Sequence, residues 1–219
     1  EGLGVALITT VVFSVISFKS KKLKNKTKIL LYLGISIPVI IATLYLSYTT
    51  IAINLNSASK GPVHWHADFE VWACGQKLDL KDPEGLFNRV GSPLFHEHND
   101  NRMHVEGVIK ELEDVSLHDF FKVIGVTIEK NNIDFLDANL GRVLLNNCNS
   151  KKAETQVFLY RVTNPEKTKK WKFEQIKLEE FDNYILSPYT AVPPGDCIII
   201  EFDQKKPETQ HICETYKVA

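Results

Sequence analysis

Histidines are the residues of this chain with the clearest potential for chemistry, because six of the seven lie between His64 and His118. In an extended strand, residues i and i+2 project from the same face, so an H-x-H pair presents two imidazoles side by side. Neutral imidazole is a ligand for zinc, copper, nickel and iron. The pattern predicts one transition-metal site, of copper or zinc, formed by two H-x-H pairs and one further histidine: His64, His66, His96, His98 and His104.

Other uses of these histidines remain open at this stage. The acids Asp68, Glu97 and Asp100 are interspersed with them, so a His–Asp pair in acid–base chemistry, or pH sensing at an interface, also fits. Half-exposed strand histidines that only form hydrogen bonds with loops are a further alternative. A hydrolytic metalloenzyme is favoured least, because it needs an open coordination position and a placed general base. We therefore predict no catalytic residue, and the sequence favours a role other than that of an enzyme.

The first histidine pair belongs to a strand that the sequence predicts clearly. In Val63–Ala73 the odd positions are apolar, and the polar residues from His64 to Glu70 alternate with them, which is the period of a strand with one buried face. The two histidines of the pair therefore project from the face of the strand that is opposite to the face of Trp65, Ala67 and Phe69. Cys74 and Gly75 predict a turn into a second short strand, Gln76–Leu80.

The remaining histidines precede a predicted helix. If Phe95–His98 is extended, its two histidines share a face, and a short strand over Met103–Val105 presents His104. Ser116–Ile124 is typical of a helix, with Ser116 as the N-cap and Gly125 after its last turn. Later strands are predicted at Gln156–Val162, Phe181–Leu186 and Cys197–Phe202.

Two apolar segments at the start of the chain predict membrane-spanning helices. Ile29–Ile53 has 25 residues and no charge, so as a helix it exceeds the ~30 Å thickness of the bilayer core. Gly2–Phe18 is also free of charge and has 17 residues, the lower limit for a span. We predict a transmembrane hairpin over residues 1–53, with spans at about 2–18 and 29–53. A cleaved signal peptide and a pilin-like start are the alternatives for the first segment.

The loop between these segments predicts their orientation. Lys19–Lys28 contains six lysines and no acid, and short basic loops stay on the cytoplasmic side of a membrane. The rest of the chain then lies outside the cell membrane, with a polar linker at 54–61 and a domain at 62–219. The formal net charge of -1 gives no reason to expect nucleic acid as a partner. The lipid bilayer is the expected partner, and other membrane protein subunits are a further candidate.

All four cysteines fall in the predicted extracytoplasmic domain: Cys74, Cys148, Cys197 and Cys213. None of them forms a C-x-x-C pair, so structural disulfides in an oxidising compartment are the favoured interpretation, with free buried thiols as the alternative. Three pairings are possible, and spacing does not select one.

Three segments, in chain order, carry a resemblance to a protein family: HWHADFEVW, FHEHNDNRMHVEGV and SLHDFFKVIGV. They resemble the histidine-rich extracytoplasmic domain of membrane proteins from archaea and candidate-phylum bacteria, in which H-x-H-A-D-F-x-V, H-x-H-D, I-H-x-H and T-L-G-D-F-F motifs follow one another. The similarity extends from Val63 to Phe202 and includes Gly195-Asp196 before the last strand. It implies the same five histidines as functional residues. Glu106 stands where the family has a further histidine, and His118 replaces a glycine.

The order of hairpin, short strand, helix and late strands resembles a β-grasp, in which one helix packs across a mixed sheet. We predict an α+β fold: two N-terminal transmembrane helices followed by a β-grasp-like mixed-sheet domain, with a β-sandwich as the alternative. Two functions follow from these features. The first is a membrane-anchored extracytoplasmic metal-binding accessory protein or subunit, and the second is a structural subunit of a larger membrane protein complex without a metal-dependent role.

Overall fold

The structure is a computed structural model that describes residues 2–20, 22–83, 86, 88–164, 171–186 and 195–217. The chain divides into two compact units, Glu1–Asn56 and Ser57–Ala219.

The first unit consists of two helices, α1 (Gly2–Lys19) and α2 (Asn25–Asn56). Both are long and apolar enough to cross a membrane. The helices pack against each other, and Gly34 allows this contact, since a Cβ there would lie 2.9 Å from the Phe13 ring. Helix α2 is longer than the predicted span because polar residues continue it at both ends, and it contains Pro38.

The second unit is an α+β domain, as predicted. Its helices are α3 (Leu117–Val123) and α4 (Glu214–Lys217), with 3-10 turns at Leu112–Val115 and Phe181–Asn183. The strands are β1 (Pro62–Ala73), β2 (Gln76–Leu78), β3 (Val90–Gly91), β4 (Phe95–Glu97), β5 (Arg102–Val108), β6 (Thr127–Glu129), β7 (Asn132–Asp137), β8 (Gly141–Leu145), β9 (Asn147–Cys148), β10 (Lys151–Lys152), β11 (Glu154–Val162), β12 (Phe173–Leu178) and β13 (Asp196–Asp203).

The main sheet has the strand order β12-β11-β13-β1-β5-β4-β3, and β2 pairs with the end of β1. Strands β1 and β13 are parallel, whereas the other pairs in this sheet are antiparallel, so the predicted mixed sheet is confirmed. Helix α3 packs across one face, with the Phe120 ring 5.2 Å from that of Phe69 and 4.9 Å from that of Phe95, between centroids. Smaller sheets are formed by β6-β7-β8 and by β9-β10.

The two faces of the main sheet are covered differently. The odd positions of β1 enter the large core beneath α3, as the strand pattern predicted. On the opposite face, residues of β11 and β13 pack against the C-terminal segment, where Cys213 and Tyr216 are buried. The even positions of β1, including both histidines, belong to this second face.

The predicted helix is confirmed, and one predicted strand is wrong. The Ser116 side chain caps α3 by accepting a hydrogen bond from the Asp119 backbone N–H at 3.2 Å. Phe181–Leu186, in contrast, is a 3-10 turn followed by an isolated bridge from Ile185 to Ser116. Its buried anchors, Phe181 and Leu186, are five positions apart, which is not the period of a strand.

All four cysteines are paired, as predicted. The disulfides join Cys74 to Cys148 and Cys197 to Cys213, at sequence separations of 74 and 16. The first connects the turn after β1 to β9, and the second ties the C-terminal segment to β13.

Candidate metal centre

Strand register brings histidines from distant parts of the chain into one row. In the antiparallel pair β1–β5, His66 is opposite His104 and His64 is opposite Glu106. In the pair β4–β5, His96 is opposite the same His104. Because opposite residues in a ladder project from the same face, three imidazoles lie side by side across three strands.

His64, His66 and His104 form the part of this row that can hold a metal ion. Each offers one ring nitrogen, and the three nitrogens lie within 4.8 Å of one another. The ring centroids are 4.5 Å apart for His64 and His66, and 4.8 Å apart for His66 and His104. Tetrahedral ligation at ~2.0–2.1 Å per nitrogen requires ligand nitrogens about 3.4 Å apart, so small side-chain rotations complete the geometry.

His96 and His98 continue the cluster on the other side of His104. Their ring centroids are 4.6 Å apart, and that of His98 lies 4.9 Å from that of His104. The Nδ1 of His96 is 3.1 Å from the backbone carbonyl oxygen of Ser92. The Nδ1 of His98 is 2.5 Å from the backbone carbonyl oxygen of Asn88. A carbonyl only accepts, so this network assigns the proton to Nδ1 and leaves Nε2 as the basic nitrogen of each neutral ring.

Two carboxylates adjoin the rings. Glu106 Oε1 lies 3.2 Å from His64 Nε2, and Asp100 Oδ2 lies 3.0 Å from His104 Nε2. Carboxylates beside ligand histidines orient the rings and raise their basicity, and they can also ligate a metal directly.

The other two acids of this region, Asp68 and Glu97, form contacts with groups other than the histidine rings. Asp68 pairs with Arg102 at 2.6 Å, and Glu97 accepts the backbone N–H groups of the turn after β4.

Burial keeps two of the rings in the form that binds metal. The pKa of His66 is lowered from the ordinary value of 6.5 by burial, then by the charges of His104 and His64. The pKa of His96 is lowered by burial and by His98, while Glu106 acts in the opposite direction. Both rings are therefore neutral at pH 7, and a ligand nitrogen must be unprotonated.

All five histidines predicted as site residues thus lie in one cluster of ring contacts, and ligation by all five stays a prediction. The two remaining histidines lie apart from them. His118 is exposed on α3, and His211 stacks on Trp72 with ring centroids 3.6 Å apart.

Sequence reasoning did not assign Glu106 and Asp100 to their partner rings. The H-x-H pattern identified the imidazoles, but only the register of β1 against β5 places Glu106 opposite His64. The sequence signal at this position was an acid two residues after His104, where a third H-x-H pair would have a histidine.

Comparison of the chain with protein-family models, with curated proteins and with solved structures gave no match in any of the three.

Proposed function

We propose that this protein is a membrane-anchored, extracytoplasmic metal-binding accessory protein or subunit that handles copper or zinc. The observation that carries the proposal is the cluster of His64, His66 and His104, with their nitrogens within 4.8 Å of one another. Three imidazoles suit either ion, and a fourth position is open to a carboxylate, a water or a partner's ligand.

Three further features support this function. The ligand rings stand on paired strands, whose backbone restricts their movement more than a loop would. The two apolar helices are long enough to provide a bilayer anchor. The domain that the histidine motifs resemble also occurs in membrane proteins. The paired cysteines fit an oxidising compartment. Partners would then be the lipid bilayer and a membrane protein that receives or donates the ion.

Titration with metal tests the proposal. Full-length protein in mild detergent is expected to bind Zn²⁺ or Cu²⁺ stoichiometrically, measured by calorimetry and by metal analysis after dialysis. The variant His66→Ala/His104→Ala removes two imidazoles at the centre of the cluster, and its affinity should fall by more than about 100-fold.

His118→Ala is the matched control, because it removes an exposed histidine outside the cluster and should leave binding unchanged. Wild-type protein that binds neither ion would contradict the metal function and favour the structural subunit. Equal binding by the wild type and the double variant would place the metal elsewhere.

Sidedness is a separate prediction, based on the six lysines of Lys19–Lys28. We expect a membrane-impermeant maleimide to label Lys110→Cys on intact cells, because this exposed residue belongs to the second unit. Lys22→Cys, in the loop between α1 and α2, should react only after permeabilisation. The reverse pattern would place the domain in the cytoplasm.

A further inference from the structure

The cluster contains more ligands than one ion uses. A tetrahedral site takes four, whereas five imidazoles and the Glu106 carboxylate lie in continuous contact here. The positions and orientations of the rings decide which of them can share an ion.

A metal bound to an imidazole nitrogen lies near the plane of that ring, because the nitrogen lone pair lies in that plane. The rings of His66 and His104 are at 90° to each other, and those of His96 and His98 are at 76°, so the planes of each pair intersect. The rings of His96 and His104 are instead stacked, with an interplanar angle of 7° and centroids 5.7 Å apart. The ring of His98 is at 70° to that of His104, so ring planes alone do not divide the cluster. Among the described residues, however, the group of three or more ligand atoms that all lie within 4.8 Å of one another comprises His64, His66 and His104, and it includes neither His96 nor His98.

The cluster therefore separates into two ligand groups. The first comprises His64, His66 and His104. The second comprises His96 and His98, whose Nδ1 atoms face backbone carbonyls and whose Nε2 atoms remain as ligands. His96 is almost fully buried, with 1% of its side chain exposed, and its Nε2 lies 3.9 Å from Glu106 Oε2, too far for a hydrogen bond.

Glu106 lies between the two groups. One of its oxygens, Oε1, is 3.2 Å from His64 Nε2. The other oxygen, Oε2, is 3.9 Å from His96 Nε2. A carboxylate with one oxygen directed to each side is suited to bridge two cations, and its charge offsets part of their repulsion. Glu106 stands on β5 opposite His64, so the strand register holds it in this position.

We propose that the cluster binds two transition-metal ions side by side, one on His64, His66 and His104 and one on His96 and His98, with Glu106 as the bridging carboxylate. This inference rests on the proposed metal-binding function and specifies its ligand sets. Two ions sharing a carboxylate lie roughly 3.5–4 Å apart in known dinuclear sites.

Stoichiometry and magnetic coupling test the inference. Full-length protein in detergent is titrated with Cu²⁺, and bound metal is counted after dialysis while electron paramagnetic resonance follows the signal. We expect two ions per chain and a loss of signal intensity at the second equivalent, because close Cu²⁺ ions couple magnetically. One ion per chain would overturn the dinuclear inference and leave the proposed function intact, whereas none would overturn both.

Two variants assign the ligands. His96→Ala/His98→Ala is expected to retain one ion, with an uncoupled signal. Glu106→Gln should weaken the second ion about 10–100-fold, more than the first, because the second group has only two imidazoles of its own. Glu174→Gln, an exposed site on β12, is the control and should still bind two coupled ions. Two coupled ions in Glu106→Gln at unchanged affinity would overturn the bridging role.

Discussion

Replacement of Gly195 by alanine is expected to destabilise the second unit by about 2–5 kcal/mol, through backbone strain and a steric clash. Gly195 has φ +86°, and a Cβ there would meet the His66 carbonyl oxygen. The position immediately precedes the parallel pairing of Ala67 with Asp196, so the clash displaces β1 against β13. Because His66 itself must move, we also expect weaker metal binding.

Gly141→Ala separates the two causes of this loss. Gly141 has a similar φ of +74°, but nothing lies within 4 Å of the added Cβ. The Gly141→Ala substitution should lower the free energy of unfolding only by the strain of a left-handed conformation, about 1–2 kcal/mol. All three tryptophans lie in the second unit, so the fluorescence of full-length protein in detergent reports its denaturant unfolding. Equal losses in the two variants would show that β1 accommodates the methyl group.

Removal of the Cys74–Cys148 disulfide is expected to cost about 4 kcal/mol, which is the second large effect. A cross-link between residues 74 positions apart excludes many unfolded conformations, so its loss stabilises the unfolded chain. The double variant Cys74→Ala/Cys148→Ala can be compared with wild type by the same fluorescence measurement.

The second disulfide provides the comparison. Cys197 and Cys213 are only 16 positions apart, so the chain-entropy argument gives about 3 kcal/mol for Cys197→Ala/Cys213→Ala. A larger loss in this second variant than in the first would mean that native packing of the C-terminal segment, and not loop closure, dominates. Cys213 and Tyr216 are buried there against β13, so the two contributions are separable.

Local patterns in the sequence determined much of the domain. Alternation in Val63–Ala73 predicted a strand and the face on which its histidines lie, because side chains in a strand alternate between faces. Ser116 and Gly125 delimited α3, since helix ends need a capping side chain and a left-handed residue. The strand prediction failed at Phe181–Leu186, where a 3-10 turn, and not an extended strand, places the apolar residues Phe181 and Leu186 in the core.

The sequence by itself identified five histidines as candidate ligands: four fall in two H-x-H pairs, whose rings share a face in a strand, and His104 follows them. Only the tertiary structure decided which of them meet. The pairing of β1 with β5 and of β5 with β4 aligns His66, His104 and His96, and it places Glu106 between two groups of rings. It likewise selected the disulfide partners. These outcomes depend on contacts between residues far apart in the chain, and such contacts arise from packing of the whole sheet, which no local pattern encodes.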